Sequence, residues 1–308
     1  MTLPAVLGRL ALGATAAAAG LTAYAMAEAR AYTLRRVTVP VLPPGSPDLR
    51  VLHLSDVHLT PGQHRKQAWL RQLARLKPDL VVDTGDNLAH RDSVPVLVDC
   101  LGDLLDVPGV FVLGSNDYFE PTLRNPFKYL LPDDGKRHTD VPELPWRALR
   151  SELTGGGWTD LTNTRATVEV RGLRIAFAGV DDPHLGYDRL DEVEGPADPD
   201  ADLRLGVAHA PYLRVLDRFA FDGYDAVLAG HTHGGQVCLP GVGALTTNCD
   251  LEPARARGLH RHPATSRPGD PASSWLHVSA GLGTSPFARI RVACRPEATL
   301  LTLVPTEP

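Results

Sequence analysis

Residues 50–58 read Arg-Val-Leu-His-Leu-Ser-Asp-Val-His, and residues 80–87 read Leu-Val-Val-Asp-Thr-Gly-Asp-Asn. Each stretch opens as a short apolar run and closes on carboxylate, imidazole or amide side chains. The figure recurs along the chain. Val110 to Leu113 closes on Gly114-Ser115-Asn116-Asp117, Leu173 to Val180 on Asp181-Asp182, Leu203 to Ala208 on His209-Ala210-Pro211, and Ala226 to Ala229 on Gly230-His231-Thr232-His233. Continuous apolar runs of about four to eight residues mark strands buried on both faces. Between the first three runs lie helical patterns: Trp69, Leu70, Leu73 and Leu76 share one helical face, as do Val94, Leu97, Val98, Leu101, Leu104 and Leu105. Strand alternating with helix predicts an α/β fold with parallel strands and right-handed crossovers. In such sheets ligands bind beyond the carboxyl ends of the strands. The polar endings therefore converge on one place.

One strand-end His or Asp is most often a turn or capping residue, but repeated endings of this kind point to metal chemistry. Asp56-x-His58 and His231-x-His233 each put two side chains on the same side of an extended segment, so that each pair can grip one ion. Mixed imidazole and carboxylate donors suit Mn, Zn or Fe better than Ca or Mg. Gly85 and Gly230 let the backbone turn where a side chain would obstruct the site. Asp56, His58, Asp86, His209, His231 and His233 are too many protein ligands for one ion that must keep an open position, which predicts two divalent ions.

The 308 residues, 43% hydrophobic and 22% charged, describe a globular chain with enough apolar material for a core. With 31 basic and 36 acidic residues the chain lacks the basic field that nucleic-acid binding needs. The four cysteines form no CxxC pair and imply no zinc knuckle, and a Cys238–Cys249 bridge is left open.

Residues 1–37 read as a separate N-terminal membrane anchor or signal segment. Leu10 to Ala27 is uncharged and just long enough to span a bilayer, although Ala contributes little transfer energy. An anchor, a signal peptide cleaved after Ala25-Met26-Ala27 and an Ala-rich soluble helix all fit. The expectation is membrane association, with the side of the membrane left open. Residues 38–48 read as a Pro-rich linker and residues 49–305 as the catalytic domain.

The motifs Asp56-x-His58, Gly85-Asp86, Gly114-Ser-Asn-Asp117, His209-Ala-Pro211 and Gly230-His-Thr-His233 resemble those of the calcineurin-like metallophosphoesterases, in family order. Gly281-Leu-Gly-Thr-Ser285, Arg295-Pro-Glu297 and Gly234-Gly-Gln236 look like the membrane-associated bacterial branch, similar to the UDP-2,3-diacylglucosamine pyrophosphatase-like enzymes. The resemblance implies a two-layered sandwich of mixed β-sheets flanked by helices. It implies that Asp56, His58 and His233 hold one metal, that His209 and His231 hold the other, and that Asp86 bridges them. The implied activity is metal-dependent hydrolysis of a phosphodiester or pyrophosphate bond by a metal-bridging hydroxide, with lipid-linked and nucleotide substrates both in view.

The third family motif normally reads Gly-Asn-His-Asp, and this chain departs from it. Asn116 and Asp117 occupy its catalytic positions, and either Asn116 or Ser115 completes the second metal site. Loss of the motif His removes help to the leaving group, which favours a phosphate or nucleotide leaving group over an alkyl one. His184, after Asp181-Asp182, is a candidate substrate contact. His53 and His277 alternate with apolar residues and read as packed within the sheet. The segment from Tyr118 to Leu144, with Phe119, Phe127, Tyr129, Leu130 and Leu131, either lines an apolar pocket for a lipid tail or packs its own small core. A competing function is a non-catalytic, membrane-tethered metal-binding or scaffold protein with a degenerate site.

Overall fold

Each apolar run read above forms a strand, because aliphatic side chains on both faces can be satisfied only between two other layers. The computed structural model describes residues 3–123, 135–137 and 139–306, with side chains from residue 13 onward. In chain order the strands are β1 (Thr33–Leu42), β2 (Leu49–Leu54), β3 (Leu80–Asp83), β4 (Gly109–Phe111), β5 (Thr159–Asp160), β6 (Thr164–Val170), β7 (Leu173–Gly179), β8 (Leu203–Val207), β9 (Ala226–Ala229), β10 (Cys238–Leu239), β11 (Gly243–Ala244), β12 (Gly258–His262), β13 (Ser274–Val278) and β14 (Glu297–Pro305). The helices are α1 (Leu3–Glu28), α2 (His64–Arg71), α3 (Ser93–Leu101), α4 (Ser115–Tyr118), α5 (Trp146–Gly155), α6 (Leu190–Val193) and α7 (Leu213–Phe221).

Two mixed six-stranded sheets result, one ordered β1-β14-β2-β3-β4-β5 and the other β12-β13-β9-β8-β7-β6, while β10 and β11 form a small hairpin. Strands β2 to β5 run parallel, as do β7, β8, β9 and β13. Alternation along each strand divides its side chains between two layers. From β2, Leu49 and Val51 join Phe177, Leu205 and Leu228 between the sheets. Leu52 and Leu54 instead pack outward with Leu70 of α2, Leu97 of α3 and Leu149 of α5. Val215, Leu216 and Phe219 of α7 cover the outer face of the second sheet with Val227 and Val278. The protein is thus a two-layered mixed β-sandwich flanked by helices.

The boundary expected at residue 38 is displaced. Residues 33–42, which include the first part of the Pro-rich stretch, form β1 and pair in parallel register with β14. Pro40 is tolerated because β1 is an edge strand, where a missing N–H costs no ladder bond on the solvent side. The membrane-span expectation also lacks support: among the described residues no helix is long and apolar enough to cross a membrane. Ala and Gly lengthen α1 without adding the transfer energy that Leu or Phe would. Its C-terminal end instead docks on the domain. The Glu28 carboxylate accepts from the backbone N–H groups of Ala293 (3.1 Å) and Cys294 (2.7 Å), and the Arg291 N–H donates to the Ala25 carbonyl at 3.0 Å. Cys238 packs with Cys294 and Ala280 rather than with Cys249, and no disulfide is formed.

Phe177 is 1% exposed at the centre of the inter-sheet core. Phe177→Ala is expected to lower stability by about 3–5 kcal/mol, measured by urea denaturation; a loss below about 1 kcal/mol would mean that the sheets are not close-packed there.

Candidate metal centre

The loops that follow the parallel strands carry unusual backbone. Asp56 (φ 49°), His58 (43°), Asp86 (59°), His231 (68°) and His233 (49°) all adopt left-handed conformations without being glycine. Such conformations cost roughly 1–3 kcal/mol each and persist only where surrounding structure over-determines them. Here the loops brace one another: the Asp56 N–H donates to the Gly85 carbonyl (2.8 Å), His58 N–H to the Asp86 carbonyl (2.9 Å), and Gly230 N–H to the His209 carbonyl (2.8 Å). Two glycines are sterically required. A Cβ on Gly230 would lie 1.8 Å from Ser55 Oγ and 2.6 Å from Asp56 Oδ2, and one on Gly85, at φ +87°, would lie 2.6 Å from the Gly114 nitrogen.

The turns bring the side chains together around Asp86. Asp56, His58, Asp86 and His233 each offer a donor atom within 4.8 Å of the other three. His58 Nε2 is 3.4 Å from Asp86 Oδ2, and His233 Nε2 is 3.6 Å from Asp56 Oδ1. On the other side of the same carboxylate, His209 Nε2 is 3.5 Å from Asp86 Oδ1 and 3.3 Å from His231 Nδ1.

The second nitrogen of three rings fixes which atom faces inward. His209 Nδ1 lies 2.7 Å from the Thr84 carbonyl, His233 Nδ1 3.1 Å from the Gly283 carbonyl, and His231 Nε2 3.1 Å from the Asn248 carbonyl. A carbonyl only accepts, so His209 Nδ1 carries the proton and leaves Nε2 as a lone pair when the ring is neutral, and the carbonyls at His233 and His231 favour the same arrangement against the longer 3.3 Å contacts from Arg291 Nη2 and Asn248 Nδ2. His58 Nε2 and His233 Nε2 then face each other at 3.2 Å, and His209 Nε2 and His231 Nδ1 at 3.3 Å. Facing lone pairs repel unless a cation or proton lies between them. The donor set therefore fits divalent metal.

Electrostatics agree. Burial lowers His58 and His231 to about 4, keeping both neutral and able to ligate at pH 7. Burial raises Asp56 to about 6, partly offset by His209. Burial opposes the charged forms of Asp86 and His209, but each outweighs it for the other: His209 holds Asp86 well below the usual carboxylate range, and Asp86 lifts His209 well above the usual imidazole range. Without metal, a proton occupies the place of positive charge.

Asn116 stands at the carboxylate between the imidazoles. Its backbone N–H donates to Asp86 Oδ1 and its side-chain amide to Asp86 Oδ2, both at 2.7 Å, so it grips the central carboxylate. Asp117 is fully buried, and its two oxygens accept from the N–H groups of Asp86, Asn87, Leu88 and Gly114 at 2.7–3.1 Å. The catalytic expectation for Asp117 is accordingly corrected to a positioning role: it clamps two ligand loops and has no oxygen left to meet substrate. The His184 ring lies 4.4 Å from that of His231, with Nδ1 3.2 Å from the Tyr212 hydroxyl, which places it at the rim of the centre. Most of the aromatic segment expected to line an apolar pocket, including Phe127, Tyr129, Leu130 and Leu131, lies outside the described residues.

Sequence reasoning missed the supporting groups. The buried Arg291 guanidinium donates to the carbonyls of Ala280 (2.7 Å), Gly281 (3.1 Å), Gly283 (2.8 Å) and His233 (3.2 Å). The Lys66 ammonium, lowered to about 7 by burial, donates to the carbonyls of Val57 (2.6 Å) and His58 (3.3 Å). Both act on backbone carbonyls, which any residue supplies.

A family model described as calcineurin-like phosphoesterase matches residues 49–235. The Bacillus subtilis protein YpbG is 29% identical over 231 residues, covering 72% of this chain and 76% of that protein. A Bos taurus transmembrane protein with metallophosphoesterase domain is 30% identical over 234 residues, covering 72% of this chain and 48% of that protein, so the chain spans about half its length. UDP-2,3-diacylglucosamine pyrophosphatase LpxG of Chlamydia trachomatis is 27% identical over 292 residues, covering 82% of this chain and 83% of that protein.

Metal uptake should follow pH with a defined sign. Protons on Asp56 and His209 compete with the ion, whereas His58 and His231 stay neutral down to about 4. Mn affinity is expected to fall about tenfold per pH unit for each proton displaced, through His209 already near neutral pH and through Asp56 as well below about 6, read by titration calorimetry; affinity whose slope does not steepen below pH 6 would contradict the assignment of Asp56 as a ligand.

Proposed function

Because this chain belongs to the calcineurin-like phosphoesterase family, whose members are phosphoester hydrolases, we propose that it hydrolyses a phosphodiester or pyrophosphate bond at a centre of two divalent ions flanking Asp86. The observation that carries this reading is the pair of facing imidazole couples, His58 with His233 and His209 with His231, on opposite oxygens of one carboxylate. Asp56, His58 and His233 would hold one ion, His209 and His231 the other, and Asp86 both. Bound there, the ions would supply positive charge to the phosphoryl oxygens and lower the pKa of an attacking water.

The chain's own residues do the rest. Asn116 keeps both oxygens of Asp86 oriented, and Asp117 fixes the loops from which Asp86 and Asn116 project. The carbonyls of Thr84, Gly283 and Asn248 hold the protons of His209, His233 and His231 away from the centre. Position 116 offers an amide where the family has an imidazole, so the third motif supplies no proton to the departing group. A leaving group that is already a good one, such as a phosphate or nucleotide, needs that proton least. The pyrophosphatase relative from Chlamydia supports the same class, a lipid-linked nucleoside diphosphate. A non-catalytic scaffold has less support, since the six carboxylate and imidazole positions are all retained and convergent.

Two outcomes test the reading. Asp86→Asn removes a charge shared by both ions; a loss of several kcal/mol of transition-state stabilisation corresponds to a drop of over about 10³ in cleavage of bis-nitrophenyl phosphate with Mn. Near-normal turnover in metal-replete protein would dismiss the centre. Secondly, nitrophenyl diesters are expected to react far faster than alkyl diesters, with a steep dependence of rate on leaving-group pKa. A flat dependence, with chemistry shown to limit turnover, would reveal an acid elsewhere in the site.

A further inference from the structure

Among the described residues ten large apolar side chains are exposed, and seven of them gather on three segments outside the metal centre. Leu21, Tyr24 and Met26 belong to α1, and Leu239, Val242 and Leu245 to the β10–β11 hairpin and its exit. The seventh, Phe287, lies on the strip 284–295. Apolar side chains exposed singly are ordinary, whereas a concentration of them marks a surface that meets a protein or a membrane.

Hydrogen bonds hold the three segments side by side, with the strip in the middle. On one flank the Arg291 N–H donates to the Ala25 carbonyl of α1, and the N–H groups of Ala293 and Cys294 donate to Glu28. On the other flank the Val292 N–H donates to the Gln236 carbonyl (3.1 Å), the Cys238 N–H to the Val292 carbonyl (2.9 Å), and the Gln236 amide to the Ala288 carbonyl (3.1 Å). Val242, at the turn of the hairpin, is 74% exposed, and Phe287 is 52% exposed. Residues 13–24 of α1 are exposed throughout and include no charged side chain. A helix without a charged face is normally covered by something.

Charge selects the cover. Glu28 is the one carboxylate in the sequence of the three segments, and it is buried in the contacts just given. The exposed charges beside the apolar residues are Arg30, Arg289 and Arg295. In a chain of net charge −5 this face therefore runs against the average. Exposed Phe, Tyr and Leu among arginines suit the headgroup layer of an anionic bilayer, where apolar side chains meet acyl chains and guanidinium groups meet phosphates. A second copy of the chain fits less well, because a two-fold contact pairs the face with itself and sets arginine against arginine.

We propose that α1, the strip 284–295 and the β10–β11 hairpin together form a docking surface for an anionic lipid surface, on which the protein rests without crossing it. The surface adjoins the metal centre: the strip follows Gly283, whose carbonyl orients His233, and the chain runs from His233 through Gln236 into the hairpin. A lipid-linked substrate would be met at the bilayer that holds it, although the docking itself does not depend on the hydrolysis proposed above.

The test uses the full chain and vesicles, without substrate, so that it stands or falls apart from the catalytic reading. Co-sedimentation is measured with vesicles of phosphatidylglycerol and phosphatidylcholine in equal parts, and with phosphatidylcholine alone. The proteins compared are wild type, Val242→Asp, Phe287→Asp, the double variant Arg289→Ala with Arg295→Ala, and Phe221→Asp, whose exposed side chain belongs to α7. Wild type is expected to bind the mixed vesicles about tenfold more tightly than the neutral ones and to be released by salt. Val242→Asp, Phe287→Asp and the double variant are each expected to weaken that binding about fivefold at unchanged melting temperature, and Phe221→Asp to leave it unaltered. Wild type that ignores both vesicles, or variants of the three segments that bind as wild type does, would overturn the proposal. So would an equal loss in Phe221→Asp, which would show a general response to added charge. Wild type that pairs in solution by sedimentation velocity, is made monomeric by Val242→Asp and binds no vesicle would assign the face to a second copy instead.

Discussion

Asp86 keeps its negative charge in a place where burial would otherwise neutralise it, and much of the surrounding structure is arranged to that end. Its two oxygens receive the two N–H groups of Asn116, and imidazoles approach each oxygen from opposite sides. Its own N–H is taken by Asp117, which also collects the N–H groups of Asn87, Leu88 and Gly114. One buried carboxylate thus serves to orient another. The left-handed turns at Asp56, His58, Asp86, His231 and His233 follow from the same demand, since side chains from the ends of three strands, β2, β3 and β9, must point at one small volume. Strain stored in those turns is held by hydrogen bonds between the loops of neighbouring strands, β2 with β3 and β8 with β9.

How much of this is legible in the sequence depends on whether a function needs a side chain or only a backbone. The runs that became β2, β3, β4, β7, β8 and β9 are readable because parallel strands buried on both faces must be apolar throughout. Strand β1 is not, because an edge position tolerates Pro40 and a partly exposed, mixed pattern. Strand β6 likewise shows an exposed alternation that reads as readily as loop. The ligands themselves are readable because metal selects imidazole and carboxylate. Thr84, Gly283 and Asn248 act through carbonyls, and Lys66 and Arg291 act upon carbonyls, so nothing in their identity or spacing announces them.

Packing of the sheets and orientation of a ligand meet at Thr84. His53 of β2 and His277 of β13 face each other across the sandwich, Nδ1 to Nδ1 at 2.8 Å, and His53 Nε2 lies 3.0 Å from the Thr84 hydroxyl. Burial keeps both rings neutral, holding His53 well below its ordinary value and His277 at about 3, so that one ring can donate and the other accept. The same Thr84 offers its carbonyl to His209. A polar rivet between layers therefore continues into the wall of the centre, within an otherwise aliphatic interior.

The docking of α1 ties the N-terminal helix to one wall of the centre. Glu28 caps two N–H groups of the segment from which Arg291 reaches to His233 and Gly283, so the N-terminal helix and one ligand loop share a single set of fastenings. Thermodynamic linkage runs in both directions along such a set. Whatever steadies residues 281–294 makes the end of α1 harder to peel away, and whatever grips α1 steadies the loop. Proteolytic nicking near Glu28 would then slow as the centre fills, turning the helix from an appendage into a gauge of what lies more deeply buried.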